Sequence, residues 1–309
     1  MCKDVVILYY LNDVEAKLIM HKIMPQARKT GVSDDLRGWS WYKSPMKPFY
    51  DDVKLPMFLI CSRYCPTNRD IYLNRVLNKK GDINFNVSQG MTLHEVVGQL
   101  ILLFQDGQLP AFEEWWEKNK KHISFVGKTE SQVELLKERS RKVWEHTLQN
   151  LKAEVSNRTV HQPYSSKRDI IATAVPFLVE HRLSGELLGL SGILGIDCFD
   201  YLRNIVFDLK IIDGNFKMES WHRLYPTGYA LVLESLYEIP VEIGCIVYVW
   251  FKDNSLVSKK DIFFINDDLR SWWLEERDKK LEIVAQKKDP GVSPGCYEEC
   301  IYYRECRGE

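Results

Sequence analysis

Asp208 and Lys210 stand two residues apart in the apolar run IVFDLK. Side chains alternate along a strand, so an acid and a lysine at that spacing share one face. A second acid, Asp197, precedes Asp208 by eleven residues in GILGIDCF, the distance of a neighbouring hairpin strand. Two carboxylates on adjacent strand ends suit Mg²⁺ or Mn²⁺, which prefer oxygen ligands and keep waters for a substrate to displace. Such an ion lowers the pKa of a bound water and neutralises charge building on a phosphate. A lysine beside it orients that water or stabilises the developing charge. His94, in GMTLHEVVGQLILLF, is expected at the start of an apolar helix. Its imidazole would add a nitrogen ligand, which suits Mn²⁺ at least as well as Mg²⁺. A lone DxK triplet is a weak signal. The apolar strands around these acids add weight, because an unpaired carboxylate is costly there.

A second constellation lies at the chain end. Cys296, Cys300 and Cys306 crowd DPGVSPGCYEECIYYRECRGE. Thiolates at this spacing suit a metal or an iron–sulfur cluster. Three cannot complete a four-thiolate site, so a distant partner is implied, with Cys65 in CSRYCPTNRDIYLNRV as the candidate. A site made from both ends of the chain would act as a clasp. Of the eight cysteines, Cys2, Cys198 and Cys245 lie in apolar settings and are expected in the core, while Cys61 competes with Cys65.

These side chains need elements to hold them. Residues 12–29 read as a capped amphipathic helix, 31–60 as an irregular arm rich in Pro, Trp, Tyr and Asp, and 66–78 as a helix with Pro in its first turn. A helix over 91–105 carries His94. Two more follow near 110–121 and 130–155. From about residue 173 the period changes. VPFLVEHRL, GILGIDCFDY and NIVFDLKII read as strands, followed by a helix over 219–237 carrying Tyr229. The strands GCIVYVWF and DIFFIN come next, and then a charged helix that leads to the cysteine tail. The order predicts an α/β fold with a mixed β-sheet flanked by helices.

Composition sets the bounds. The chain has 309 residues and is 45% hydrophobic, which excludes wholesale disorder. No run of eighteen apolar residues appears, and the apolar N-terminal run lacks a small-residue cleavage site. We expect a buried strand there, a cytoplasmic protein and no membrane partner. The net charge of −1 confines any nucleic-acid contact to a local patch.

In combination, these motifs resemble a known family. RGWSWYKSP, YCPTNRDIYL, LHE, PFLVEHRLSGELLGLS, GID, FDLK, HRLYPTGYALVLES and the three C-terminal cysteines come in its order, from about residue 30 to the end. The chain resembles the RecB-like nucleases of the PD-(D/E)xK superfamily. Within them it resembles the CRISPR-associated adaptation exonucleases with an iron–sulfur cluster, often called Cas-four, in their archaeal subtype I-A branch. The resemblance implies a metal-dependent deoxyribonuclease acting on single-stranded ends and processing new spacer DNA beside the adaptation integrase.

The same resemblance implies roles for individual residues. His94, Asp197 and Asp208 would bind Mn²⁺ or Mg²⁺, and Asp208, Lys210, Asp197 and Tyr229 would be catalytic. Cys65, Cys296, Cys300 and Cys306 would ligate the cluster, Cys65 being favoured over Cys61 because it precedes Pro66 as in the family. A 4Fe–4S cluster is preferred, with 2Fe–2S left open. Asp208 stands where many relatives have Glu, and Tyr225 stands at the Gln of their QxxxY motif. Glu95 and Glu180 are set aside as uncertain. Basic residues that would line a passage for single strands are Arg69, Arg75, Lys79, Lys80, Lys137, Arg139, Arg141 and Lys142.

Four stretches follow from this reading. Residues 1–60 are an N-terminal helix and aromatic-rich arm, and 61–170 a helical region with the first cysteine and the histidine motif. Residues 171–285 form the nuclease core sheet and 286–309 the cysteine tail. Trp39, Trp41, Tyr42 and Phe49 in the arm are interface candidates. The competing reading is a catalytically degenerate module, clasped by iron–sulfur or zinc, that binds DNA or a partner without cutting.

Overall fold

The computed structural model describes residues 8–122, 129–212, 216–296, 298 and 300–308. The first helix is continuous through α1 (Asp13–Leu18), a π-helical turn (Ile19–Ile23) and α2 (Met24–Thr30). Asn12 caps it, its side chain accepting the Glu15 N–H while Glu15 accepts the Asn12 N–H, each at 2.9 Å. The strand expected at the N-terminus is not found where it can be seen: residues 8–10 form a bend, and residues 1–7 with Cys2 lie outside the described residues.

The arm is irregular as expected, with two 3₁₀ turns (Asp34–Leu36 and Gly38–Ser40) before α3 (Met57–Cys61). Pro66 does not open a helix. Asn68 takes a left-handed φ of 59°, and α4 (Arg69–Ile71) starts only after it, passing into a π-turn (Tyr72–Val76). Then come α5 (Phe85–Gln105), α6 (Phe112–Asn119), α7 (Glu130–His161) and α8 (Lys167–Ala174). The helix α5 begins six residues before the expected start, because the Asn84 side chain accepts the Val87 N–H at 3.0 Å. His94 therefore sits in mid-helix.

Five strands follow: β1 (Phe177–Leu183), β2 (Leu194–Asp200), β3 (Ile205–Ile211), β4 (Ile243–Lys252) and β5 (Ser255–Phe264). They form one sheet in the order β1-β2-β3-β4-β5. All neighbours are antiparallel except β3 and β4, which are parallel. A parallel pair needs a crossover, and α9 (Leu224–Tyr237) supplies it. The chain continues in α10 (Asp267–Gln286) and a last short turn of helix, α11 (Tyr303–Arg307). The fold is α/β with a mixed sheet flanked by helices, and no described helix is long and apolar enough to cross a membrane.

Each face of the sheet has its own apolar core. One contains Leu93, Val97 and Leu100 of α5 and Val143 and Trp144 of α7, against Phe207 and Leu209 of β3. The other contains Ala230 and Leu233 of α9 and Trp273 and Leu281 of α10, against Val206 of β3 and Ile246 of β4. Alternation along β3 gives Asp208 and Lys210 to the second face, with Val206. Cys198 and Cys245 are fully buried, as expected.

Candidate active site

The geometry starts at a place where two strands part. The β2–β3 ladder runs as far as Cys198 opposite Phe207. One residue further, Asp197 stands opposite Asp208, and there the Asp197 side chain takes over: its Oδ2 accepts the Leu209 N–H at 2.9 Å. The strands open into a cleft of about 380 Å³ whose lining includes His94, Asp197, Asp208, Lys210, Tyr225 and Tyr229. All five residues predicted for metal binding or catalysis thus meet in one cleft. They come from α5, β2, β3 and α9.

The cleft is electrostatically tight. Lys210 Nζ lies 2.8 Å from Asp208 Oδ2. That oxygen is buried and makes no aligned hydrogen bond, so the contact is one of charge, with valence left over. Burial, relieved in part by Lys210 and reinforced by Asp197, raises the Asp208 carboxyl to about 6. His94 Nδ1 lies 3.4 Å from Asp197 Oδ1. Burial works against both charges of this pair, yet the attraction prevails, and the Asp197 carboxyl falls while the His94 imidazole rises. Lys210 shows the same balance. Burial opposes its charge, but Asp208 and then Asp197 outweigh it and hold the ammonium protonated.

Two tyrosines of α9 fix the set. The Tyr229 hydroxyl donates to the Gly195 carbonyl at 2.6 Å, which anchors β2 two residues from Asp197. Tyr225 lies under the lysine, with Lys210 Nζ 3.6 Å from its ring centroid. The residue that departs from the QxxxY pattern therefore makes a cation–π contact, worth about 0.5–2 kcal/mol. The DxK spacing alone carries no sign of it.

Glu180, set aside at first, belongs to the same row. Val179 pairs with Cys198 and His181 with Ile196, which sets Glu180 opposite Asp197. Its φ is +48°, in the left-handed region that few side chains adopt. The side chain lies over two glycines. A Cβ at Gly98 would fall 2.9 Å from its Cγ, and one at Gly195 would fall 3.3 Å from its Oε2. Burial and then Asp197 raise its carboxyl. The sequence signal was a charge inside the apolar strand PFLVEHRL.

The residues present suit a divalent cation. Two carboxylates and an imidazole line one cleft, and a buried Asp208 oxygen lacks a hydrogen-bond partner. Among the described residues no three His, Cys, Asp or Glu side chains form a ready-made ligand set; His94 and Lys210 each stand against one of the acids.

The second constellation joins the C-terminal tail to the segment before α4, although no three of its thiols form a ready-made metal site among the described residues. Cys65, Cys296, Cys300 and Cys306 are free thiols and partly exposed, whereas Cys61 is sealed in the core, where burial raises its thiol to about 12. Burial also raises Cys300, and the neighbouring Cys296 and Cys65 thiols add to that. Tail and early helix are tied around them. Arg69 holds Asp289 with both branches at 2.9–3.1 Å and also reaches Cys306. Thr67 donates to the Gly291 carbonyl at 2.8 Å, and Asn74 donates to the Tyr302 hydroxyl at 2.9 Å. Four thiols from both chain ends, none in a disulfide, are a donor set that suits an iron–sulfur cluster.

Most of the basic residues expected to line a passage are engaged by the protein itself. Arg69 holds Asp289, Lys79 holds Glu305, Lys137 and Arg141 hold Glu113, and Lys142 holds Glu138. Arg75 donates to the Lys54 carbonyl, and Arg139 contacts Gln89 and lies over the Phe251 ring.

A family model described as CRISPR-associated exonuclease Csa1 matches residues 8–309. Two relatives carry that same name. One, from Saccharolobus solfataricus, is 27% identical over 279 residues, covering 89% of this chain and 92% of the relative. The other, from Thermoproteus tenax, is 26% identical over 277 residues, with the same coverage of 89% and 92%. With the model spanning nearly every residue, the chain belongs to the CRISPR-associated exonuclease Csa1 family.

Proposed function

We propose that this protein is a metal-dependent deoxyribonuclease with a PD-(D/E)xK core that trims single-stranded DNA ends during CRISPR adaptation. The observation that carries the reading is the meeting of buried Asp208 with half-buried Asp197, Lys210 and His94 in one cleft. The name of the two relatives, an exonuclease linked to CRISPR, supports it independently.

Asp197 and Asp208 would hold Mn²⁺ or Mg²⁺, with His94 as a nitrogen donor. A cation bound there would supply an acidified water and neutralise charge on the scissile phosphate. Lys210, kept protonated by its two acids, cannot serve as a base in that state. It donates to a phosphate oxygen or orients the attacking water, and Tyr225 beneath it limits where the ammonium can go. Tyr229 holds β2, so that Asp197 keeps its place as substrate enters.

Cys65, Cys296, Cys300 and Cys306 would hold an iron–sulfur cluster, 4Fe–4S in preference to 2Fe–2S. Its role is that of a clasp, because metal-site free energy gathered from two chain ends is folding free energy. Anaerobically purified protein should contain iron and sulfide, and Cys296→Ala should lose both; zinc in their place would remove the iron–sulfur claim. The adaptation integrase is the proposed partner. Tyr42 and Phe49 in the arm, 63% and 81% exposed, support a docking face there.

The test is cleavage of end-labelled single-stranded DNA with Mn²⁺, with Mg²⁺ and with EDTA. Cleavage only with metal, lost in Asp197→Ala, supports the reading. A wild-type protein that binds the DNA but cuts it under none of these conditions would leave the degenerate module in its place.

A further inference from the structure

Beside the catalytic lysine a run of aromatic rings leads from the cleft to solvent. Lys210 Nζ sits 3.6 Å from the Tyr225 centroid. The Tyr225 and Trp221 centroids are 6.4 Å apart, and those of Trp221 and Tyr64 are 5.1 Å apart and nearly perpendicular, at 81°. Tyr64 is 56% exposed. Through Trp221 and Tyr225 it stands two rings away from Lys210, at the solvent end of the run.

Both rings are braced from behind. Trp221 packs edge-on against His222 at 4.1 Å, and His222 is hydrogen-bonded to the Tyr248 hydroxyl at 3.0 Å. Tyr64 directly precedes Cys65, in the segment that Thr67 and Arg69 tie to the C-terminal tail. A wet aromatic ring held rigid on a functional cleft is a preorganised stacking platform, since every nucleobase offers a π-face. Exposed Phe58 and Ile193 give the rest of the mouth an apolar rim.

We propose that Tyr64 and Trp221 form a stacking site for one unpaired nucleobase adjacent to the phosphate cut beside Lys210. The proposal rests on the nuclease reading and adds a cause of preference to it. A base inside a duplex keeps its faces covered by its neighbours, so only an unpaired end can engage these rings. Stacking also tolerates any base, because a ring face carries no donor and acceptor pattern.

The test pairs protein rings with DNA bases. A labelled oligo-dT is compared with a series carrying one abasic position at each step from the end. Binding is measured by anisotropy without metal, and cleavage of the same strands with Mn²⁺. The wild type should lose about 10-fold in affinity at one abasic position. Tyr64→Ala and Trp221→Ala should lose about as much on the intact strand and nothing further at that position. Tyr64→Phe and Trp221→Phe should stay near wild type, and these keep the test open if an alanine variant melts early. A wild-type abasic scan that is flat, or alanine variants that bind and cut like wild type, overturns the stacking site while leaving the nuclease intact. A position-specific abasic effect with no cleavage under any metal overturns the nuclease reading and the placement beside a cut phosphate, and leaves a base-binding module.

Discussion

Two sets of buried charges lie on the α9 side of the sheet, and they are built differently. Along α10, Arg270, Arg277 and Lys280 are fully buried. Arg270 spreads its donors over both Glu234 oxygens and the Ile265, Leu36 and Val241 carbonyls. Lys280 donates to the Ile60 and Ser62 carbonyls, and Arg277 to those of Met46 and Pro45. These cations pin the arm and α3 to α10, and their bonds are used up. In the cleft, Asp208 is buried with an oxygen that has charge beside it and no aligned hydrogen bond. Burial of charge is common to both regions; the α10 cations have their partners, whereas Asp208 in the cleft keeps an oxygen without an aligned one, as does Asp70 Oδ1 near Lys280. Saturated charges hold the chain in place, and an unsaturated one is available to a ligand.

The comparison is most easily broken at Glu234, which accepts from Arg37, Arg270 and the Gly38 amide. Glu234→Ala leaves two buried guanidinium groups short of a partner and should destabilise the fold by about 3–5 kcal/mol. A fall in melting temperature of roughly 10 °C is the expected reading, with metal-dependent cleavage still present well below it. An unchanged melting temperature would remove the structural role assigned to this network.

Lys210→Met reverses the pattern. It keeps bulk over Tyr225 but removes the charge proposed to act on phosphate, so the single-turnover cleavage rate should fall about 100-fold with little change in melting temperature. A variant that cuts normally would show that the ammonium only offsets Asp208.

A third effect is one of pH. The Asp208 carboxyl rises from 3.8 to about 6 in the fold, so between those values the native state keeps a proton that the unfolded chain has lost. The resulting contribution to stability is present below pH 3.8 and is lost as pH rises through about 6, by at most ~1.4 kcal/mol per pH unit. Metal-free wild type should therefore weaken across that window relative to Asp208→Asn. Parallel denaturation curves for the two would indicate that Asp208 is not strained by its burial.

The sequence made the carrier elements legible where local chemistry decides them. The Asn12–Glu15 capping box, the apolar run around Asp208 and the hairpin spacing to Asp197 each specify their own conformation. Other features were written but harder to read. β5 starts at Ser255 rather than at the DIFFIN run because Asp253 and Asn254 both take positive φ, making a tight hairpin turn. The helix α8 was missed although Ser166 caps it by accepting the Asp169 N–H at 3.2 Å. Long-range partnerships left no local trace. The helix DDLRSWWLEERDKK reads simply as a charged helix, yet three of its cations are sealed by carbonyls more than 200 residues earlier or on α9's flank. Likewise, in RGWSWYKSP Arg37 and Gly38 dock on α9 through Glu234. A Cβ on Gly38 would fall 2.0 Å from the Leu231 carbonyl oxygen, so no larger residue fits there.

The most direct test sets one member of each charge set side by side. Wild type, Asp208→Ala and Arg270→Met are each assayed for Mn²⁺-dependent cleavage of single-stranded DNA and for melting temperature. The account predicts that Asp208→Ala loses about 10³-fold in rate while melting near wild type, and that Arg270→Met melts early yet still cuts at low temperature. Cleavage by Asp208→Ala at the wild-type rate would contradict the account, whatever the melting curves show.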